Sequence, residues 1–297
     1  MTTKIIAFCL LSLAAPVLAA AESQPSDVWA AEFYNHYRTT ANVTYKVTSQ
    51  GDQKLDVYQR IDAPGPRPTL FFIHGGAWEH GSKEDVLGYT LPWMVWGWTV
   101  VSVNYRVTKE AIAPAGVEDC LCALHWVVAN APKYQFDLNH LIISGASAGG
   151  HLALLVGMAP VGAGLDRDFP GVQLPRPAAI VSFSGIVDVA DLMAGPHKQG
   201  FAGAWVGNQA DVARRVSPIN YVRPGLPPIF LEQGDSDKTV PYSETVKFHA
   251  ALTQAGVPNE LMTVVGGGHG GYSAEEYVLI FKTVGEFLVK YHLMVSE

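Results

Sequence analysis

The sequence predicts an α/β fold, a mostly parallel central sheet with helices on both faces and a small partial cap. Three observations predict it. Short, continuous apolar runs recur from Thr69 onward, and such runs suit strands covered on both faces. Helix-length stretches separate them, and that alternation belongs to a doubly wound sheet. Four residues able to do chemistry, His74, Ser147, Asp237 and His269, each fall just after one of the runs. Sheets of this kind place their sites outside the carboxyl ends of the strands.

In chain order, Lys4, the apolar run 5–18 and the small residues Ala19-Ala20-Ala21 read as an export signal over 1–21. The run is shorter than the about 20 apolar residues a membrane span needs, so stable membrane insertion is not expected. The mature chain is expected to be periplasmic or secreted. Residues 22–297 are long enough for one domain. Residues 23–38 carry Val28, Trp29, Phe33, Tyr34 and Tyr37 at helical spacing. Residues 42–48 and 55–59 alternate like two half-buried antiparallel strands. The buried strands follow at 69–73, 98–103, 140–144, 178–183, 228–232 and 260–265. Helices are expected at 116–130, 147–158, 243–255 and 275–291. Residues 187–217 interleave Gly195, Pro196, Gly200, Gly203 and Gly207 with Met193, Phe201 and Trp205. That composition suggests short helices inserted as a partial cap.

Composition excludes some classes. Of the 297 residues, 48% are hydrophobic and only 16% charged, with a net charge of -7. No basic patch is present to attract nucleic acid. After export, two of the three cysteines remain, Cys120 and Cys122. Two positions apart on a helix they point to different sides, so they read as buried thiols, not a disulfide. The histidines lack metal-ligand spacing and no phosphate or dinucleotide loop is visible, so neither metal nor cofactor is expected.

The motifs assemble the parts of acyl transfer. Ser147 sits in Gly145-Ala146-Ser147-Ala148-Gly149, between an expected strand and an expected helix. A sharp strand-to-helix turn exposes the hydroxyl, and glycines let the backbone close around it. His74-Gly75-Gly76-Ala77-Trp78 follows an earlier strand. Its glycines free backbone N–H groups to face an oxyanion, with Gly76 and Ala77 favoured, Gly75 a third candidate, and Ala148 the donor from the turn. Asp235 and Asp237 both follow the strand at 228–232, and either position suits an acid that orients an imidazole. His269, in Gly266-Gly267-Gly268-His269-Gly270-Gly271, is the one of ten histidines in the loop directly after the last strand. His74 and His151 read as bracing residues. The order Ser, Asp, His is that of the α/β-hydrolase fold.

Together with Ser102-Val103-Asn104-Tyr105-Arg106 and residues 116–131, 144–155 and 232–242, these motifs resemble the α/β-hydrolase esterases of the hormone-sensitive-lipase and feruloyl-esterase-like (BD-FAE) branches. The resemblance covers about residues 54–288. It implies Ser147 as nucleophile, Asp237 as acid and His269 as base, with Asp235 bracing the turn. It also implies oxyanion donors at Gly75–Ala77 and Ala148. Two departures favour the BD-FAE-like branch: Ala77 stands where the lipase-like branch has a third glycine, and Val107-Thr108-Lys109-Glu110 follows Tyr105-Arg106 where that branch has Leu-Ala-Pro-Glu. The implied activity is a serine carboxylesterase for short-chain or aryl esters, its partner a small-molecule ester; a homodimer is left open. Arylformamidase and feruloyl or polysaccharide acetyl esterase are the rivals among hydrolases. A binding protein that keeps the fold without catalysis is the rival of another class. Trp78 and Trp205 are expected to line the substrate site for rings or sugars, against the alternative that they pack the core or cap.

Overall fold

Among the described residues, eight strands form one sheet: β1 (Tyr37–Thr48), β2 (Gly51–Arg60), β3 (Arg67–Ile73), β4 (Thr99–Val103), β5 (Phe136–Ala146), β6 (Ala179–Phe183), β7 (Ile229–Gly234) and β8 (Asn259–Val264). The computed structural model describes residues 25–62 and 64–294, so the expected export signal lies outside the described residues. The chain divides into two units, 1–35 and 36–297. The described part of the first is helical, α1 (Pro25–His36).

The sheet order is β1-β2-β4-β3-β5-β6-β7-β8. β1 and β2 pair antiparallel, and β2 joins β4 antiparallel. All pairings from β4 through β8 are parallel. The expected antiparallel entry is therefore present, though both strands run longer than their apolar alternation suggested. Their pairing extends from Tyr37 opposite Arg60 to Thr48 opposite Gly51. Exposed polar residues such as Thr39 and Asp52 mask that extension.

Helices connect the parallel strands: α2 (Leu87–Val95), α3 (Ala115–Ala129), α4 (Ala131–Tyr134), α5 (Ala148–Met158), α6 (Val189–Ala194), α7 (Gly200–Trp205), α8 (Ala210–Arg215), α9 (Tyr242–Gln254) and α10 (Ala274–Lys290). α2 carries a weak helical signal in the sequence, because Gly88 and Pro92 lie within it. α6, α7 and α8 are the short helices expected over 187–217. α5 is buried at every position except Gly157, as its apolar circumference requires. α10 opens with a reciprocal cap, Ser273 and Glu276 each bonding the other's backbone N–H.

Three of the parallel strands are wholly buried. β4, β6 and β7 expose no residue. β7 carries this burial through Glu232 and Gln233 at its carboxyl end, and buried polar groups need partners or a function. Cys120 and Cys122 are free and buried, and burial pushes the Cys122 thiol up to about 11, so neither is a reactive thiolate. Among the described residues, no helix is long and apolar enough to cross a membrane.

Candidate active site

The turn from β5 into α5 holds Ser147 at φ 55° and ψ −121°, a strained backbone for a residue with a side chain. Its N–H donates to the Phe183 carbonyl at 2.7 Å, which ties the turn to β6. A methyl group at Gly149 would collide with the Ile73 and His74 carbonyls. Glycine there lets α5 start against the end of β3.

The loop after β3 runs beside the serine. A Cβ on Gly75 would lie 3.3 Å from the Cβ of Ser147. Gly76, Ala77 and Trp78 all have positive φ, at 112°, 54° and 59°. Two side-chain-bearing residues in this region cost of order 1–2 kcal/mol each, so the loop must be held. The Glu79 and His80 N–H groups donate to the Gly76 carbonyl at 2.9 and 3.1 Å. Thr108 donates twice to the Trp78 carbonyl, from its N–H at 2.8 Å and its hydroxyl at 3.0 Å. Thr108 lies in the segment that departs from the lipase-like pattern. Among the described residues, the N–H groups of Gly76, Ala77 and Ala148 donate to no protein acceptor.

His74 braces this loop. Its Nδ1–H donates to the Gly75 carbonyl at 2.7 Å, and its ring stacks on Tyr105 at 4.3 Å. Burial pulls its pKa down to about 4, so it is a neutral prop. Arg106 then grips buried Asp119 with two bonds of 2.7 and 2.8 Å, fastening the Tyr105 loop to α3.

Asp237 and Asp235 separate by their partners. Asp237 Oδ1 accepts from the N–H groups of Thr239 and Val240 at 2.7 and 2.9 Å. Its Oδ2 accepts from His269 Nδ1 at 2.7 Å and from Gln233 Nε2 at 2.5 Å. Burial raises its pKa, but the His269 hydrogen bond and charge, with those two N–H groups, bring it below the ordinary carboxylate value. Asp235 is exposed and accepts from the Gly266 N–H at 2.7 Å, bracing the loop that carries His269. On its other side, His269 Nε2 accepts from the Ser147 hydroxyl at 2.7 Å. Ser147, His269 and Asp237 thus form one continuous hydrogen-bonded line.

Trp78 and Trp205 require a correction. Both are 0% exposed and stack on each other at 4.2 Å. Trp78 Nε1 donates to His151 Nδ1 at 3.2 Å, and His151 Nε2 donates to the Val216 carbonyl at 2.6 Å. The pair joins the oxyanion-side loop to α7 by packing and does not line a wetted site. Trp205→Ala is therefore expected to lower unfolding free energy by about 3–5 kcal/mol. The milder Trp205→Phe should lower the melting temperature with little change in KM for small esters. A large KM rise in Trp205→Phe at unchanged melting temperature would contradict the packing role.

The sequence reading overlooked Gln233, Thr108 and Glu232. Gln233 is fully buried and holds Asp237 in place, while Thr245 donates to its carbonyl oxygen at 3.3 Å. The available signal was two polar residues ending an otherwise apolar strand. Among the described residues, Asp191, His197 and Glu244 form a group that could hold a cation, with ligand atoms within 4.8 Å of one another. His197 already pairs with Asp191 at 2.8 Å and Lys247 with Glu244 at 2.6 Å.

The BD-FAE family model matches residues 55–252, about two thirds of the chain. The chain belongs to the BD-FAE family. The match includes Ser147 and Asp237 and ends before the His269 loop. Esterase LipC of Mycobacterium tuberculosis is 30% identical over 234 residues, covering 73% of this chain and 57% of LipC. The chain spans a little over half the length of such curated relatives. Esterase 2 of Thermogutta terrifontis, solved with propionate bound, is 25% identical with a TM-score of 0.74, covering 88% of this chain and 97% of that one. A truncated carbohydrate esterase from gut microbiota is 26% identical with a TM-score of 0.71, covering 84% and 96%. This BD-FAE protein thus has the α/β-hydrolase fold.

Proposed function

We propose that this protein is a serine carboxylesterase acting on short-chain or aryl carboxylic esters. One observation carries the reading: the line from Ser147 Oγ through His269 to Asp237, with both links at 2.7 Å. Ser147 attacks the ester carbonyl as His269 Nε2 takes its proton. Asp237 holds the imidazole in the tautomer that accepts there and offsets the charge that forms. The tetrahedral oxyanion sits between the N–H of Ala148 and those of Gly76 and Ala77, unpaired donors on two sides of Ser147. His269 then protonates the leaving alcohol, and water repeats the sequence to release the acid. The Thermogutta esterase, bound to propionate in one structure, supports short acyl groups for this chain. We also propose export, directed by residues 1–21; intact mass of protein recovered from a bacterial periplasm should start at Glu22.

The function is tested with p-nitrophenyl esters from acetyl to palmitoyl, beside methyl ferulate and N-formylkynurenine. Rates should peak at acetyl to butyryl and fall at least about tenfold at palmitoyl, the size of effect that pocket fit alone produces. Dominant turnover of ferulate or formylkynurenine would replace this reading with one of those activities. Inactivity throughout would favour a binding protein.

A further inference from the structure

The loop after β3 places two peptide groups in series. The first joins Gly76 to Ala77, and its N–H is the Ala77 donor, which meets no protein acceptor among the described residues. The second joins Trp78 to Glu79. A trans peptide is planar, so its C=O and its N–H point in opposite directions. The Glu79 N–H donates to the Gly76 carbonyl at 2.9 Å, so the second group fixes the plane of the first. The carbonyl of the second group, that of Trp78, accepts from Thr108 twice, from its N–H at 2.8 Å and from its hydroxyl at 3.0 Å. The bonds therefore run from Thr108 through the Trp78–Glu79 peptide to the Gly76–Ala77 peptide, and end on the free Ala77 N–H.

Thr108 is itself held. The Val107 carbonyl accepts from the N–H groups of Glu110 and Ala111 at 2.8 and 3.0 Å, and the Glu110 carboxylate accepts from the Val107 N–H at 3.1 Å. Further along, the Ala113 N–H donates to the Trp205 carbonyl at 2.7 Å, which ties this segment to α7. The oxyanion-side loop needs the anchor, because Ala77 and Trp78 keep φ at 54° and 59° despite their side chains. Hydrogen bonds in series also polarise one another, so two donors on the Trp78 carbonyl strengthen the Glu79 N–H and, through it, the Ala77 N–H. Ala77 and Thr108 both fall at the departures from the lipase-like pattern. An alanine at 108 would keep the N–H bond and lose the hydroxyl bond.

We propose that Thr108 is a positioning residue for the oxyanion hole, setting the direction and donor strength of the Ala77 N–H through two peptide groups. This rests on the esterase reading above. Thr108 acts through the backbone and takes no part in proton transfer. Its effect falls on the transition state, in which the ester carbonyl oxygen becomes an oxyanion.

Thr108→Val keeps the backbone N–H and the side-chain shape and removes the hydroxyl. On p-nitrophenyl butyrate its kcat should fall about 5- to 30-fold, with KM within about twofold. That is less than the ~10²–10³ lost with a whole oxyanion donor, since one bond to the Trp78 carbonyl stays. Thr108→Ser keeps the hydroxyl and should return to within about twofold of wild type. The p-nitrophenyl thionobutyrate ester separates positioning from packing, because its sulfur accepts hydrogen bonds weakly and draws little on the hole. The oxo-to-thiono ratio of kcat/KM should fall about threefold or more in Thr108→Val. Equal falls on both esters, or no fall on either, would overturn the proposal. Should Thr108→Val not fold, Thr108→Ala is measured in the same way. With isotope-labelled alanine, the Ala77 amide resonance, assigned with Ala77→Gly, reads the relay without substrate. It should move in Thr108→Val while that of Ala148 stays, and an unmoved Ala77 resonance would also overturn the proposal. A wild-type protein inactive on both esters would sink the esterase reading, yet the Ala77 resonance would still decide the relay.

Discussion

Ser147→Ala should retain the fold and lose about 10⁴- to 10⁶-fold in kcat on p-nitrophenyl butyrate, because the members of such a set act as a unit. The hydroxyl contributes no core packing. Its removal leaves the Ser147 N–H on Phe183 and the Gly149 contact in place, so the melting temperature should stay within a few degrees. A residual rate above water remains from the unpaired N–H groups of Gly76, Ala77 and Ala148. Turnover above about one tenth of wild type would exclude Ser147 as the nucleophile, whatever the family. Covalent labelling by an active-serine phosphonate should vanish in the same variant.

The second large effect is on stability in acid. His74 and His151 are buried, and burial holds both at about 4, against an ordinary histidine value of 6.5. The folded protein therefore binds fewer protons than the unfolded chain between these values. Stability is full above about pH 6.5 and is lost as pH falls toward 4. Each histidine costs about 2–3 kcal/mol by pH 4.5. Glu232 acts with the opposite sign. Its folded value of about 7 lies above the ordinary 4.5, so the folded state binds the extra proton and gains stability as pH falls through that window. That gain is also about 2–3 kcal/mol. Two histidines outweigh one glutamate. Urea unfolding should lose about 2–3 kcal/mol between pH 7 and 4.5 in wild type, and about 5 kcal/mol in Glu232→Gln. Equal losses in the two proteins would show that Glu232 does not titrate in this range.

Legibility differed by residue for physical reasons. Ser147 was readable because its turn depends on near neighbours: glycines on either side, a buried strand before it and an apolar helix after it. His269 was readable from its place after the last strand. Asp237 was not separable from Asp235 by local chemistry, since both occupy one turn; the resemblance made that choice. In the fold, the N–H groups of Thr239 and Val240 and the imidazole meet only Asp237, while Asp235 takes the Gly266 N–H.

The sequence by itself determined the alternation of buried strands and helices, the strand ends that carry Ser147, Asp237 and His269, and the chemistry those residue types allow. These depend on periodicity and turn composition, which a local window contains. Only the tertiary structure decided that Trp78 and Trp205 stack on each other, because an aromatic residue's identity does not say which neighbour covers it. It alone placed Gln233 behind Asp237 and left Glu232 with an unpaired oxygen. On a strand buried on both faces no alternation marks which side a residue takes: Gln233 turns to Asp237 four residues on, while Glu232 turns to Ser184 of a different strand end, 48 residues away.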